Sequence, residues 1–365
     1  TKLQMIEWTP GRTGEIAPVA VFAPVEIDGC EVSRASLHNL SFIEDLELMP
    51  GNRILVSKRN LIIPHVEDNL DRGGFVLERA YPHRCPCCGE PTRIHETRGR
   101  NENGEERTIK TLFCDNAGCE TRKLKQFVHF VGKKAMNIEG LSEATLEKLI
   151  GRGWIHSYLD IYRLDQHKDE LVRMDGFGER SWQRLWSAIQ QSRNTTFERY
   201  VIAMDIPMIG NTASGVLCQV FHGNLDEFRD AVYAGYDFRQ LPDFGDTLHN
   251  NIHEWFSKED NFCIWEELQM MMKIQKPVQP VAENNTQDNP FAGKTIVVTG
   301  KVEPYTRDEM NSLIASLGAI AGSSVTRKTH YLVCGEKAGS KLSKARELGI
   351  HVLEPQEFFR MAGVA

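Results

Sequence analysis

Between Ile138 and Phe256 the apolar positions keep a helical rhythm, and the rhythm repeats. Four segments align: Ile138-Glu139-Gly140-Leu141-Ser142, Met174-Asp175-Gly176-Phe177-Gly178, Ile206-Pro207-Met208-Ile209-Gly210 and Leu241-Pro242-Asp243-Phe244-Gly245. Each is apolar at its first and fourth residues and ends in Gly or Ser, and successive starts lie 36, 32 and 35 residues apart. A period of that size marks one supersecondary unit used repeatedly. Flanking sets such as Leu146-Leu149-Ile150 and Trp182-Leu185-Trp186-Ile189 have helical spacing, so the unit is helix, tight turn, helix, and residues 126–275 form an all-α domain.

Other rhythms flank it. Residues 1–80 carry short strand-like runs with turn signals: Ile16 to Phe22, Val25-Glu26-Ile27 before Asp28-Gly29, and Arg53 to Lys58 after Pro50-Gly51. Such close spacing predicts a small all-β barrel. Residues 276–289 begin proline-rich and become almost wholly polar, which predicts a flexible linker. Residues 290–365 alternate: a strand from Lys294 to Thr299, a helix from Arg307 to Leu317, strands at Ala319 to Ser323 and Tyr331 to Cys334, a helix from Ser340 to Leu348, then a short strand and a last helix through Phe358-Phe359. That alternation predicts an α/β domain with a parallel sheet. The chain as a whole is multidomain.

Composition narrows the chemistry. Hydrophobic content of 41% and charged content of 25% suit a globular protein, and no run of 18 apolar residues offers a membrane span. No secretory signal opens the chain, so a cytoplasmic protein is expected, and Thr1 at the first position predicts a chain cut or truncated upstream. Net charge of −7 limits phosphate affinity to local basic clusters, Lys58-Arg59, Arg122-Lys123-Lys125 and Arg327-Lys328.

The glycine-containing turns let a partner approach the backbone closely and leave the next helix's N–H groups pointing outward, a ready anion site. This singles out Gly140, Gly176, Gly178 and Gly210; Asp243 would repel a phosphate in the fourth unit. The plainer reading is that the turns are packing corners. Gly11-Arg12-Thr13-Gly14 and Val32 to Asn39, which includes Arg34, Ser36 and His38, are dense in phosphate donors; read plainly they are a polar loop and a helix cap. Among nine cysteines only Cys85, Cys87, Cys88, Cys114 and Cys119 cluster. Cys85 and Cys88 form a Cys-x2-Cys knuckle, and Cys114 and Cys119 a second pair four residues apart; four soft thiolates suit one structural, tetrahedral Zn²⁺ in a module spanning 81–125. Cys87 in place of Cys85 or Cys88, and an iron–sulfur cluster in place of zinc, stay open. His129 and His156 read as packing or surface residues rather than ligands.

Several of these strings resemble known families. The repeat resembles the helix-hairpin-helix motif, which grips the DNA backbone without reading bases. Gly11-Arg12-Thr13-Gly14, Pro18-Val19-Ala20, Pro24-Val25 and Val32-Ser33-Arg34-Ala35-Ser36-Leu37-His38-Asn39 together resemble the oligonucleotide-binding (OB) barrel of bacterial NAD-dependent DNA ligases. That family usually has Thr where Ser36 stands, and its Arg-Ala-Gly-Asp-Val-Ile-Pro run reads here Lys58-Arg59-Asn60-Leu61-Ile62-Ile63-Pro64, without the glycine and aspartate. Ala135 to Leu141 and Asp175 to Ser181 are similar to the same family, which also places zinc ligands at Cys85 and Cys88. The last domain resembles the BRCT domain of these ligases through Thr299-Gly300, Gly318-Ala319, Thr329 to Val333 and Gly339-Ser340-Lys341.

The resemblance implies the DNA-binding portion of a ligase that seals nicks in replication and repair. Arg12 would contact the nicked duplex or support its joining, with Thr13, Gly14, Arg34, Ser36, His38, Lys58 and Arg59 beside it. Thr299, the Gly300 amide and Lys341 would hold a phosphate, as in phosphate-binding BRCT domains; the plain alternative is a strand end and a solvated lysine. No Lys-x-Asp-Gly string occurs, so no catalytic residue is expected in this chain. NAD and Mg²⁺ would be bound upstream, by an adenylation domain that partners this one. A bacterial, nucleoid-associated monomer is expected. The alternative from another class is a stand-alone, non-enzymatic DNA-binding or scaffold protein made of the same modules.

Overall fold

The computed structural model describes residues 1–100, 106–275 and 290–363, apart from 304, 306–309, 312, 315, 316, 323, 337 and 338. It has two compact units, Thr1–Gln275 and Lys276–Ala365. The expected linker at 276–289 lies outside the described residues, as does the start of the helix expected from Arg307.

The first unit opens with an antiparallel sheet of β1 (Leu3–Pro10), β2 (Ile16–Ile27) and β3 (Cys30–Ser36). After the short helix α1 (Leu40–Asp45) comes the hairpin β4 (Ile54–Arg59) and β5 (Ile63–Asn69). A Lys2–Arg53 bridge ties the start of β1 to β4. Leu3, Ala20, Phe22, Val32, Ile54 and Val66, from all five strands, meet in one core. Two expectations change here. The runs Ile16 to Phe22 and Val25 to Ile27 belong to one strand, whose register shifts between Val21 and Val25. Pro24 has no N–H to give the ladder, so a bulge passes it without ending the strand. The stretch read as a polar loop is mostly β3: Val32 and Ala35 are buried while Arg34 and Ser36 face solvent. Its end does cap a helix, since Asn39 Oδ1 accepts from Phe42 N at 3.0 Å.

Helix α2 (Leu77–Ala80) leads to the ribbon of β6 (Thr92–Arg100) and β7 (Glu106–Cys114). Lys110 N donates to Ser41 Oγ at 2.8 Å and Lys110 Nζ to Glu44 at 2.8 Å, fixing the ribbon to α1. Ten helices follow: α3 (Glu120–Val131), α4 (Glu143–Gly151), α5 (Tyr158–Ile161), α6 (Lys168–Leu171), α7 (Glu179–Ser192), α8 (Phe197–Ala203), α9 (Asn211–Val220), α10 (Leu225–Tyr233), α11 (Asp246–Phe256) and α12 (Glu259–Met271). They share a single core from Phe127 to Met272, so the repeats are one domain and not beads on a string. Strand β8 (Asn194–Thr196) pairs in parallel with β9 (Lys273–Gln275), which closes the unit.

The second unit is a parallel sheet of β10 (Thr295–Thr299), β11 (Ile320–Gly322), β12 (Tyr331–Cys334) and β13 (His351–Leu353), in the order β11-β10-β12-β13. Ile296 and Val298 pack with Met310, Ile314 and Phe358, whereas Val297 and Leu332 pack with Ala345. Both sheet faces are therefore covered, as continuous apolar strands require.

Candidate nucleic-acid interface and metal centre

All four repeat turns have the same backbone. The third residue lies in the left-handed region: Gly140 at φ +97°, Gly176 at +80°, Met208 at +65° and Asp243 at +62°. The fifth caps the next helix: Ser142 for α4, Gly178 for α7, Gly210 for α9 and Gly245 for α11. Phe177 N donates to Met174 O at 2.9 Å, Ile209 N to Ile206 O at 3.1 Å and Phe244 N to Leu241 O at 3.2 Å. The anchors are the first and fourth residues, which point inward: Ile138, Leu141, Met174, Ile206, Ile209, Leu241 and Phe244 are buried and Phe177 is half-buried. Apolar anchoring thus imposes the turn even where glycine is missing, at a cost of about 1–2 kcal/mol for each non-glycine residue held left-handed.

The remaining positions face outward. A Cβ added at Gly176, Gly178, Gly210 or Gly245 would meet nothing within 4 Å. Helices α7, α9 and α11 have no side-chain N-cap bond, so their first amides are open to an external acceptor. Helix α4 differs, because Ser142 Oγ accepts from Thr145 N at 3.2 Å. The first two turns lie together: Leu185 Cδ1 is 3.5 Å from where a Gly140 Cβ would stand. Between them runs an open groove lined by Gly140, Gly176, Arg180, Ser181, Arg184 and Gln191. Arg180 and Arg184 are exposed, one helical turn apart, on the face of α7 opposite buried Trp182, Leu185 and Ile189. Sequence reasoning missed both arginines. The i, i+4 spacing outside an apolar stripe was the signal that could have found them.

On the barrel, Arg12 forms an ion pair with Asp205, whose side chain is only 9% exposed, and Arg122 Nε donates to Arg12 O at 3.2 Å. Gly14 is buried: Cys114 N donates to Gly14 O at 2.8 Å, and a Gly14 Cβ would lie 2.6 Å from Cys114 O. The Gly11–Gly14 loop therefore joins barrel, cysteine module and the start of the third turn, with Thr13 left exposed. Arg34 Nη1 donates to Glu7 at 3.0 Å, Lys58 Nζ to Ile27 O at 2.7 Å, and Arg59 Nη2 to Glu67 at 3.4 Å. The Arg34–Glu7 and Arg59–Glu67 pairs are solvent-exposed and therefore weak. Ser36 Oγ accepts from His38 N at 3.1 Å, and the exposed His38 ring stands edge-on to Phe42 at 5.1 Å.

The cysteines converge. The sulfurs of Cys85, Cys88, Cys114 and Cys119 all lie within 4.8 Å of one another, and Cys88 and Cys114 are 3.6 Å apart. A tetrahedron of thiolates about 2.3 Å from an ion has edges of about 3.8 Å, so this set could hold a metal ion. Cys87 is exposed and stands outside the cluster. Gly89 N donates to Cys85 O at 3.0 Å and Gly89 takes φ +74°, which folds the first knuckle tightly. Burial pushes the Cys114 thiol up to about 12, while the Glu90 backbone N–H holds Cys88 down to about 7. A cation bound by these sulfurs would displace their protons.

Comparison with known proteins agrees with this arrangement. A family profile, the NAD-dependent DNA ligase OB-fold domain, matches residues 1–73. A second, the BRCA1 C Terminus (BRCT) domain, matches residues 286–362. The DNA ligase of Lachnoclostridium phytofermentans is 38% identical over 100% of this chain and 53% of its own length. Those of Ruminiclostridium cellulolyticum and Acetivibrio thermocellus are 36% and 33% identical over 98% and 99% of this chain, and 52% of their own lengths. Together these matches support a C-terminal portion of an NAD-dependent DNA ligase. The chain spans about half the length of the curated relatives it matches.

The BRCT unit gives its Thr-Gly pair a packing role. Thr299 is buried, and Gly335 N donates to Thr299 O at 2.8 Å. Gly300, at φ +78°, faces Gly335 O and Glu336 O, each 2.6 Å from where a Cβ would stand. No other residue fits so close to those carbonyls. Lys341 stands in the first turn of the helix Ser340–Glu347. Among the described residues, no helix is long and apolar enough to cross a membrane.

Proposed function

We propose that this chain is the duplex-gripping part of an NAD-dependent DNA ligase that seals nicks in replication and repair. The observation that carries the reading is the run of matching turns, three of which lead into helices with no side-chain cap on their first amides, with Arg180 and Arg184 beside the first two turns. Outward amides at helix N-termini donate to phosphate oxygens, and arginines supply charge and further donors. Such contacts position a duplex without reading its sequence. Gly140, Gly176, Gly178 and Gly210 would line one side of the grip. Arg12, Thr13, Gly14, Arg34, Ser36, His38, Lys58 and Arg59 would act from the barrel, Arg12 and Gly14 by holding it against the hairpin domain. Proposed module limits are 1–80, 81–125, 126–275 and 290–365.

Zn²⁺ is the proposed ion for Cys85, Cys88, Cys114 and Cys119. With four protein ligands there is no open position for chemistry, and the ion would cross-link a module too small to fold on its own core. Metal analysis should find one zinc per chain, and a chelator should unfold residues 81–125 while leaving the BRCT unit intact. NAD and Mg²⁺ would be handled by an adenylation domain outside this chain, whose nucleophilic lysine passes AMP to the 5′-phosphate at the nick. The grip would hold the two ends in reacting position. A phosphate held by Thr299, Gly300 and Lys341, a monomeric state and a cytoplasmic, nucleoid location complete the proposal. Titration of nicked and intact duplex at 50 and 200 mM salt tests it. Binding should be independent of sequence and weaken at least tenfold with salt; no binding at 50 mM would overturn it.

A further inference from the structure

We infer that Met208 is an apolar wedge of the third hairpin that enters the minor groove of the bound duplex, so that this hairpin grips sugars as well as phosphates. The inference rests on the duplex-gripping reading and deepens it. Met208 holds a left-handed backbone, φ +65°, at the position that glycine occupies in the first two turns. The residue is 70% exposed, although the anchors Ile206 and Ile209 of the same turn are 1% and 8% exposed. A flexible apolar side chain on strained backbone, turned into water, gains the folded chain nothing.

The turn cannot relax to hide it. Ile209 N donates to Ile206 O at 3.1 Å, and Asn251 Nδ2, from α11, donates to Pro207 O at 3.0 Å. The hairpin also lacks charge with which to hold a duplex: residues 206–216 contain no charged side chain, leaving the open amides behind Gly210 and the uncharged side chains of Asn211 and Thr212. A thioether offers nothing to a phosphate. The apolar surfaces a duplex does offer beside its backbone are the deoxyribose edges and base steps of the minor groove, which inserted Met, Leu or Phe side chains exploit. The equivalent residues fit the same geometry: Gly140 and Gly176 bring backbone alone, and Asp243 brings a charge that phosphate rejects.

The test uses the whole 365-residue chain and a labelled nicked duplex, with Met208→Gly, Met208→Gln and Met208→Leu compared with wild type and with Gly178→Asp. Met208→Gly and Met208→Gln should bind about tenfold more weakly, and Met208→Leu within twofold of wild type. The slope of log K against log salt should be unchanged in all three, since no ionic contact is lost. The thermal midpoint of Met208→Gly should equal or exceed wild type, because glycine relieves the strain. Equal or tighter binding by Met208→Gly, or Met208→Leu as weak as Met208→Gln, would overturn the inference. If Gly178→Asp weakens binding and Met208→Gly does not, the wedge alone fails; if wild type itself does not bind, the reading beneath it fails too.

Discussion

The second and fourth hairpins have one backbone and two chemistries. Gly176 and Asp243 sit at φ +80° and +62°, and Gly178 and Gly245 cap the following helices without side-chain help. Residues 174–184 carry Asp175 and Glu179 against Arg180 and Arg184, and Lys168 Nζ lies 3.1 Å from Glu179. Residues 241–251 carry Asp243 and Asp246 and no Lys or Arg, and the nearby Arg239 is shared between Asp246 at 3.3 Å and Asp237 at 2.7 Å. The turn is thus a consequence of two buried apolar residues, and any turn so anchored will form. Whether it grips a phosphate depends on the charges arranged around it. Under the proposed reading, the second hairpin would bind the duplex and the fourth would serve to complete the core.

That contrast can be broken in several ways. Reversing both groove charges, Arg180→Glu with Arg184→Glu, should weaken duplex binding about 100-fold at 100 mM salt in a titration, while far-ultraviolet dichroism stays unchanged because both side chains are exposed. Arg184→Ala alone should weaken binding about fivefold and lower the salt slope by about one unit. The smallest change is Asp243→Gly: relief of the left-handed backbone should stabilise the first unit by up to about 1 kcal/mol in denaturant unfolding and alter affinity less than threefold. A large gain in affinity would mean that the fourth hairpin also meets the duplex.

Much of this was legible in the sequence, for identifiable reasons. The turns declared themselves because two buried apolar positions and a helix cap recur at a fixed period. The four sulfurs were legible because knuckle spacing constrains where thiols can point, and Cys87 falls outside. The bulge at Pro24 and the strand Cys30–Ser36 were not, since pairing depends on a partner strand distant in sequence. The Arg12–Asp205 pair was hidden likewise; it joins residues brought together only by the fold. Arg180 and Arg184 were overlooked because a charged outer helix face looks like any solvated one until two turns are seen to form a groove beside it.

The measurement closest to the centre of the account is a side-by-side anisotropy titration of one nicked duplex with Gly178→Asp and Gly245→Asp. Both sites have room for a side chain and extended backbone, φ −155° and −99°, so both variants should fold. An added carboxylate at the amides of α7 should weaken binding about tenfold, and the same carboxylate at α11 should change it less than twofold. Equal losses at the two sites, or none at Gly178, would contradict it.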